Sequence, residues 1–360
     1  MRKVACCLSW VLCARVLSGC GSTAPRVEVE PVSFVHQDEW AIKGGFAALA
    51  DRRIFATMAF LNAAGYDEEL AGFEMHPARV LVRELVRKNL EQCPDKVEAW
   101  KAYYKGHRAG IFAYKSFALA LSPDHPFRRV VPDEKLGYRW TAELFRDLPD
   151  ILNDFWKAAK LDEVWTRVKP AYCEEVRRYD LEKMEREMTF LWAYLRMPRR
   201  DTQVMVLVPD LLDHHLGAMG AGYGGYYYSV ENQGAGTYGL SIHEYLHSAI
   251  NPLVEARYPA CQAKLDAYYA LGKDGPGSKD YRHPVTFAFE CLVRALDRRI
   301  RSKLEADPKW THLCEQQVAS DTKEGLVLTQ PFYDLLESYE ESGQPFDEYL
   351  PSLLEKLPAP

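Results

Sequence analysis

His243, Glu244 and His247 are the residues of this chain whose types and spacing best suit joint chemistry. They stand in the pentapeptide His243-Glu244-Tyr245-Leu246-His247, which has the HExxH form. On an α-helix, residues i and i+4 share a face one turn apart. Both imidazoles can therefore bind one metal ion while the neighbouring carboxylate reaches the water on it. The chemistry this implies is metal-assisted hydrolysis with Glu244 as general base.

A catalytic zinc ion takes three protein ligands and leaves a fourth position to water. In the extended pattern HExxHxxGxxH the third would be a histidine at 253, but Ile250 and Leu253 fill the glycine and final histidine positions. Asn251-Pro252 predicts that the helix ends there, with Asn251 holding the turn through an Asx-type bond. A third ligand must return from further along, and Glu255, His283 and Glu290 are available. Glu255 lies beside Arg257 and reads as part of a surface ion pair. Glu290 is the choice. It lies in a predicted helix over 284–304, whose apolar face carries Phe289, Leu292, Val293, Leu296 and Ile300. A carboxylate among apolar neighbours needs a compensating charge, and a cation supplies one. The competing account is an exposed ion pair between Glu290 and Arg294 at i, i+4. Tyr281, His283, Tyr223, Tyr226, Tyr227 and Tyr228 are candidates for contact with substrate or for stabilising an oxyanion.

The elements that must position these residues can be read from periodicity. A helix over 238–250 carries Ile242, Leu246, Ala249 and Ile250 as its apolar stripe, with His243 and His247 a quarter-turn away at a cleft edge. Before it, 202–208 (TQVMVLV) predicts a buried strand, and 226–230 (YYYSV) a second strand in a hairpin with the residues ahead of it. The glycines of 216–225 are not a phosphate loop, because no Walker lysine follows and they do not lie between a strand and a helix opening. The chain up to about residue 197 reads mainly as helices. Asp51 caps one that ends before Gly65, Pro77 opens 77–90, and 148–161 and 162–197 follow, the last bent or split at Pro170. His76, His107 and His125 stand singly and read as structural.

At 360 residues, with 48% hydrophobic and 27% charged residues, the chain has the composition of a globular protein with a sizeable core. A net charge of -6 with dispersed Lys and Arg excludes an electrostatic nucleic-acid partner. At the start, Arg2 and Lys3 precede a short apolar run, and Leu17-Ser18-Gly19-Cys20 follows. This resembles the signal peptide and lipobox of bacterial lipoproteins. The resemblance implies cleavage before Cys20, lipidation of that cysteine and export to the cell envelope. Cys93, Cys173, Cys261, Cys291 and Cys314 remain in the body, an odd set without CxxC spacing and so no zinc ribbon.

His243 to Pro252 (HEYLHSAINP), followed by Phe287 to Ala295 (FAFECLVRA), resembles the gluzincin type of zinc metallopeptidase. More closely, it is similar to a family of bacterial exported proteins with an HExxHxxxNP-like signature, a downstream Glu near an Arg-Ala pair and a long helical N-terminal half. The similarity runs from about residue 40 to 340 and is specific in those two motifs. It implies an α+β, mostly helical fold with a small antiparallel-containing sheet packed on the HExxH helix. It also implies a Zn²⁺ cofactor and a peptide or protein substrate laid along the sheet's edge strand, here Tyr226 to Val230 or its hairpin partner. The expected organisation is a signal peptide over 1–19, a tether over 20–35, a helical region over 36–200 and a zincin-like region over 201–360 that can form one unit with the helical one. The rival reading is a lipid-anchored binding protein that keeps the zincin fold without turnover and uses the Tyr-rich stretch as a ligand platform.

Overall fold

The structure, a computed structural model, describes residues 40–43, 46–70, 72–73, 75–197, 204–214, 217–223, 225–237, 239–279 and 281–360. Cys20, the signal-like start and the tether lie outside these residues. The described chain is mostly helical with one small mixed sheet, the α+β class expected. It divides into two compact units, and neither matches a single cut near residue 200. A sheet-bearing unit takes the described residues up to Leu181 together with Thr202–Ser241, and a helical unit joins Glu182–Asp201 to Ile242–Pro360. Strand pairing is the reason: Phe46, Ala47 and Ala48 pair with Met205, Val206 and Leu207, so the sheet draws on both halves of the chain.

The sheet-bearing unit opens with β1 (Trp40–Lys43) and β2 (Phe46–Leu49). Helices α1 (Arg52–Leu61), α2 (Asp67–Glu69), α3 (Pro77–Leu90), α4 (Pro94–Gly106), α5 (Ile111–Leu119), α6 (Thr141–Leu144), α7 (Leu148–Ala158) and α8 (Leu161–Arg178) follow. It closes with β3 (Val204–Asp210), β4 (Ala218–Tyr223) and β5 (Tyr226–Asn232). The strand order is β1-β2-β3-β5-β4, with β2, β3 and β5 parallel and the outer pairs antiparallel. The predicted hairpin is β4 with β5. The edge it offers is β4, since β5 is paired on both sides. β3 runs past its predicted end through Pro209, where it has left β2 behind and a missing N–H is tolerated. Gly220 on β4 lies against Tyr227, and a Cβ there would fall 1.9 Å from the tyrosine hydroxyl oxygen. This glycine makes room for an aromatic ring.

Asp51 caps α1 as predicted, accepting from the backbone N–H groups of Arg53 and Ile54. The same carboxylate holds the Arg53 guanidinium, which also donates to the carbonyls of Leu119 and Leu121. Pro170 neither splits nor ends its helix; α8 runs through it, and the break comes at Tyr179 and Asp180. Leu161, Val164, Trp165 and Val168 before the proline and Tyr172 and Val176 after it are all buried. That burial outweighs a lost backbone bond costing about 3 kcal/mol. The three single histidines are structural: His76 caps α3, His107 stacks on Tyr103, and His125 stacks on Trp156.

Helix α5 is buried almost throughout and carries one cation, Lys115, at its centre. Its Nζ lies 2.8 Å from Asp210 Oδ2 and 2.6 Å from Asp213 Oδ2, and donates to Asn232 Oδ1 at 2.8 Å. Tyr66 donates to the other Asp213 oxygen at 2.8 Å. Asp210 and Asn232 end the neighbouring parallel strands β3 and β5, so one ammonium ties a core helix to two strand ends.

The helical unit holds nearly all of α9 (Leu181–Leu195) and α10 (Leu240–Gly272), with α11 (Pro284–Glu305), α12 (Pro308–Lys323), α13 (Thr329–Ser342) and α14 (Phe346–Lys356). The end predicted at Asn251-Pro252 is not there: α10 continues through Pro252 and Pro259 to Gly272. Ile250, Val254 and Leu265 are fully buried along it. Its far half is fastened by Lys264, which donates to the carbonyls of Glu355 at 2.7 Å and Leu357 at 2.9 Å. Helices α9, α11 and α13 meet at Glu340, which accepts from Tyr194 at 2.9 Å and from Arg299 at 2.6 and 2.8 Å. Among the described residues no helix is long and apolar enough to cross a membrane.

Replacing Lys115 by Met strands two buried carboxylates without their cation. Denaturant unfolding is expected to show a loss of about 3–5 kcal/mol, whereas removing the exposed partner Lys96 of Asp154 should cost under about 1 kcal/mol.

Candidate metal centre

Helix α10 carries His243, Glu244, His247 and Asn251, and α11 carries Glu290 and Arg294. The two Nε2 atoms of His243 and His247 lie 3.1 Å apart. Glu290 Oε2 lies 3.2 Å from His247 Nε2, and Glu290 Oε1 lies 3.8 Å from His243 Nε2. Metal–ligand bonds of about 2.0–2.2 Å place tetrahedral ligand atoms about 3.3–3.6 Å apart. The three separations bracket that range, so the group could hold one ion, and one donor atom from each side chain falls within 4.8 Å of the others. The histidines are more enclosed than the predicted cleft edge, at 7% and 2% exposure. Glu290 is at 0%. The quarter-turn offset from the α10 stripe leads to another helix surface, because Glu290 of α11 sits against both rings.

Charges support the same assignment. Burial pushes the His243 imidazole down to about 3, only partly offset by Glu290, so its ring is neutral near pH 7 and keeps a lone pair for a cation. Burial alone would push the Glu290 carboxyl up, but Arg294 and the two imidazoles hold it well below the usual carboxylate range. Arg294 Nε donates to Glu290 Oε1 at 2.5 Å, and its Nη1 donates to Asp321 Oδ1 of α12 at 2.7 Å. Sequence reasoning set the Glu290–Arg294 pair against the metal role. The structure contains both, with one carboxylate oxygen for each. Oε2, the oxygen facing His247, has no hydrogen-bond donor among the described residues. A buried acceptor without a donor, beside two imidazoles, is a position that fits a cation.

His247 Nδ1 lies 3.2 Å from Asn251 Oδ1, one turn on along α10. Asn251 was expected to hold a turn; since the helix does not end there, its amide reaches back to the histidine instead. Its Nδ2 is buried without a partner. Glu244 is buried at 4% exposure on the same helix, between the two histidines. Tyr281 is buried, and its hydroxyl, pushed well above its usual range by burial and by Glu290, lies in the field of the Glu290–Arg294 pair. His283 is exposed just before α11. Tyr226 and Tyr228 belong to the other unit, where Tyr228 is buried with the Arg53 guanidinium 5.4 Å over its ring.

The segment bearing Tyr281 is fixed by glycines. Gly275 lies so close to the turn after α12 that a Cβ would come 2.4 Å from the Glu324 carbonyl oxygen and 2.6 Å from Gly325 Cα. The Gly277 N–H donates to that same carbonyl at 2.9 Å, and Ser278 bonds back to Gly272. The Tyr281 N–H then donates to the Ser278 carbonyl at 2.9 Å. This clasp joins the α10–α11 connection to the end of the helix that carries Asp321. Arg294 had a signal in the sequence at i+4 from Glu290. Asp321 had none, because only tertiary packing brings α12 to α11.

No protein-family model, curated protein or solved structure matches the chain.

The buried imidazole sets the acid response of the metal-free protein. Between pH 6.5 and about 3 the unfolded chain binds a proton at His243 that the folded chain refuses, so stability falls as pH falls through that window. Glu290 acts with the same sign at lower pH, since its depressed carboxyl stabilises the fold only while ionised. The urea midpoint should decline from pH 6.5 downwards, and His243→Gln should flatten that decline.

Proposed function

We propose that the chain is a zinc-dependent peptide hydrolase of the zincin type, with His243, His247 and Glu290 as ligands and Glu244 as general base. The observation that supports it best is the buried convergence of two imidazoles and one carboxylate, with Glu290 Oε2 left without a donor. Two nitrogens and one oxygen suit zinc, and three protein ligands leave a position open for catalysis. When bound, the ion supplies Lewis acidity and brings the pKa of a water molecule towards about 7.

The chain's own residues do the rest. Glu244 takes the proton of the attacking water and returns it to the leaving amine nitrogen. His243, neutral through burial, contributes an uncharged ligand. Arg294 keeps one oxygen of Glu290 occupied and so orients the other. Tyr281, held protonated by burial and by Glu290, offers an O–H to the developing oxyanion. The lipobox-like Leu17-Ser18-Gly19-Cys20 supports export and anchoring to a bacterial envelope membrane through Cys20.

Purified protein should carry about one zinc per chain. Glu244→Gln should keep that metal while cleavage of a diverse peptide library falls by about 10²–10⁴-fold. A preparation that refuses added zinc overturns the proposal. Full zinc loading with no cleavage of any library peptide favours the rival, a binding protein without turnover.

A further inference from the structure

We infer that Asp321 is a positioning residue that keeps one oxygen of Glu290 open, by competing with Glu290 for the guanidinium of Arg294. The purpose of this competition rests on the metal reading above; the competition itself rests on three side chains and their hydrogen bonds. Arg294 spans carboxylates of two different helices. Its Nε donates to Glu290 Oε1 of α11 at 2.5 Å, and its Nη1 donates to Asp321 Oδ1 of α12 at 2.7 Å. Asp321 is 7% exposed. Among the described residues the other cation beside it is Arg298, which stands 4.0 Å from Oδ2 and is itself bonded to Asp297. Arg294 is therefore its main partner.

An arginine and a carboxylate left to themselves favour a two-pronged pair, in which two N–H groups take both oxygens in parallel. Glu290 and Arg294 are not paired in that way, since Oε1 accepts from the guanidinium and Oε2 has no donor. The second carboxylate gives the reason. Bonds from two different nitrogens to anions on two different helices fix the plane of the guanidinium, so it cannot turn to face Glu290 with a pair of N–H groups. Without Asp321 it is free to turn, and a two-pronged grip would cover Oε2, the oxygen 3.2 Å from His247 Nε2. The competitor is itself held in place. The Leu326 N–H donates to the Asp321 carbonyl at 2.9 Å, and one turn on the Glu324 carbonyl accepts from the Gly277 N–H at 2.9 Å. Asp321 thus stands on the helix end that the glycine clasp locks, and it cannot follow the guanidinium towards Glu290.

The test uses the full chain at neutral pH, with zinc affinity read by competition with a chromophoric chelator. Asp321→Ala should bind zinc about 10–100-fold more weakly than the wild type. Asp321→Asn, which keeps an acceptor for Nη1 and loses the charge, should lie between the two. A lysine ammonium has no planar fork to close over both oxygens. In an Arg294→Lys background, adding Asp321→Ala should therefore change zinc affinity by no more than about twofold. A crystal structure of the metal-free Asp321→Ala protein should show the Arg294 guanidinium on both oxygens of Glu290. Wild-type affinity in Asp321→Ala, or an equal loss in the Arg294→Lys background, overturns the inference. If Asp321→Ala does not fold, Asp321→Asn decides, and wild-type affinity there overturns it. If the wild type takes no zinc, the metal reading fails, while the metal-free variant structure still decides the role of Asp321: a guanidinium that stays on Oε1 alone overturns it.

Discussion

A carboxylate can be wholly enclosed in protein only where something cancels its charge, and the helical unit is arranged around that requirement at Glu290. Desolvating a lone anion costs several kcal/mol or more, so the position depends first on the Arg294 guanidinium, with the two imidazoles beside it. Each partner recruits a further element: the histidines fix the face that α10 presents, and Arg294 draws in Asp321 from α12. The lone-pair geometry that suits a metal ion is thus a by-product of solving a burial problem. Packing supplies most of the stabilisation; the ionic groups select which packing is allowed.

The sheet-bearing unit answers the same constraint with the opposite sign. Lys115 lies on a helix otherwise apolar and is satisfied by Asp210, Asp213 and Asn232, two of them at the ends of adjacent parallel strands. The two clusters differ in where the cation comes from. The Lys115 ammonium donates to three oxygens and has no spare valence, so it serves as a fastening. The Glu290 cluster retains a carboxylate oxygen without a donor and a carboxamide nitrogen without an acceptor. The difference is that Lys115 supplies the chain's own cation to its cluster, whereas the only side-chain cation on Glu290 among the described residues, Arg294, bonds its other oxygen.

Local order made much of this legible in the sequence. The Asp51 cap, the Pro77 helix opening, the YYYSV strand with its hairpin and the helix bearing Glu290 all follow from residues a few positions apart. Where local and non-local terms conflict, sequence reading fails in a consistent direction. Pro170, Pro209 and Pro252 each predict an interruption, and each is overridden by burial or by the end of a neighbouring strand. His243 and His247 were singled out from their spacing, and Glu290 as a carboxylate among apolar neighbours. Asn251 was seen but misread, because its role depends on the helix not ending. Asp321, and the assignment of residues 40–49 to the same sheet as 204–232, come from long-range pairing that no window of sequence contains.

The glycine clasp between the α10–α11 connection and the turn after α12 bears on the order of events in the life of the protein. Glu290 is 43 positions from His247, a separation at which a cation recruiting its own third ligand would have to meet the loop-closure entropy itself. Here that entropy is met by backbone contacts at Gly275 and Gly325, and the ligands are assembled by the fold. Such a centre can be completed before any ion reaches it, so folding and metal acquisition can be separated in time and in compartment. If the proposed ion binds, its occupancy would reflect the ion supply where the folded chain resides, with no need for the ion as a template during synthesis.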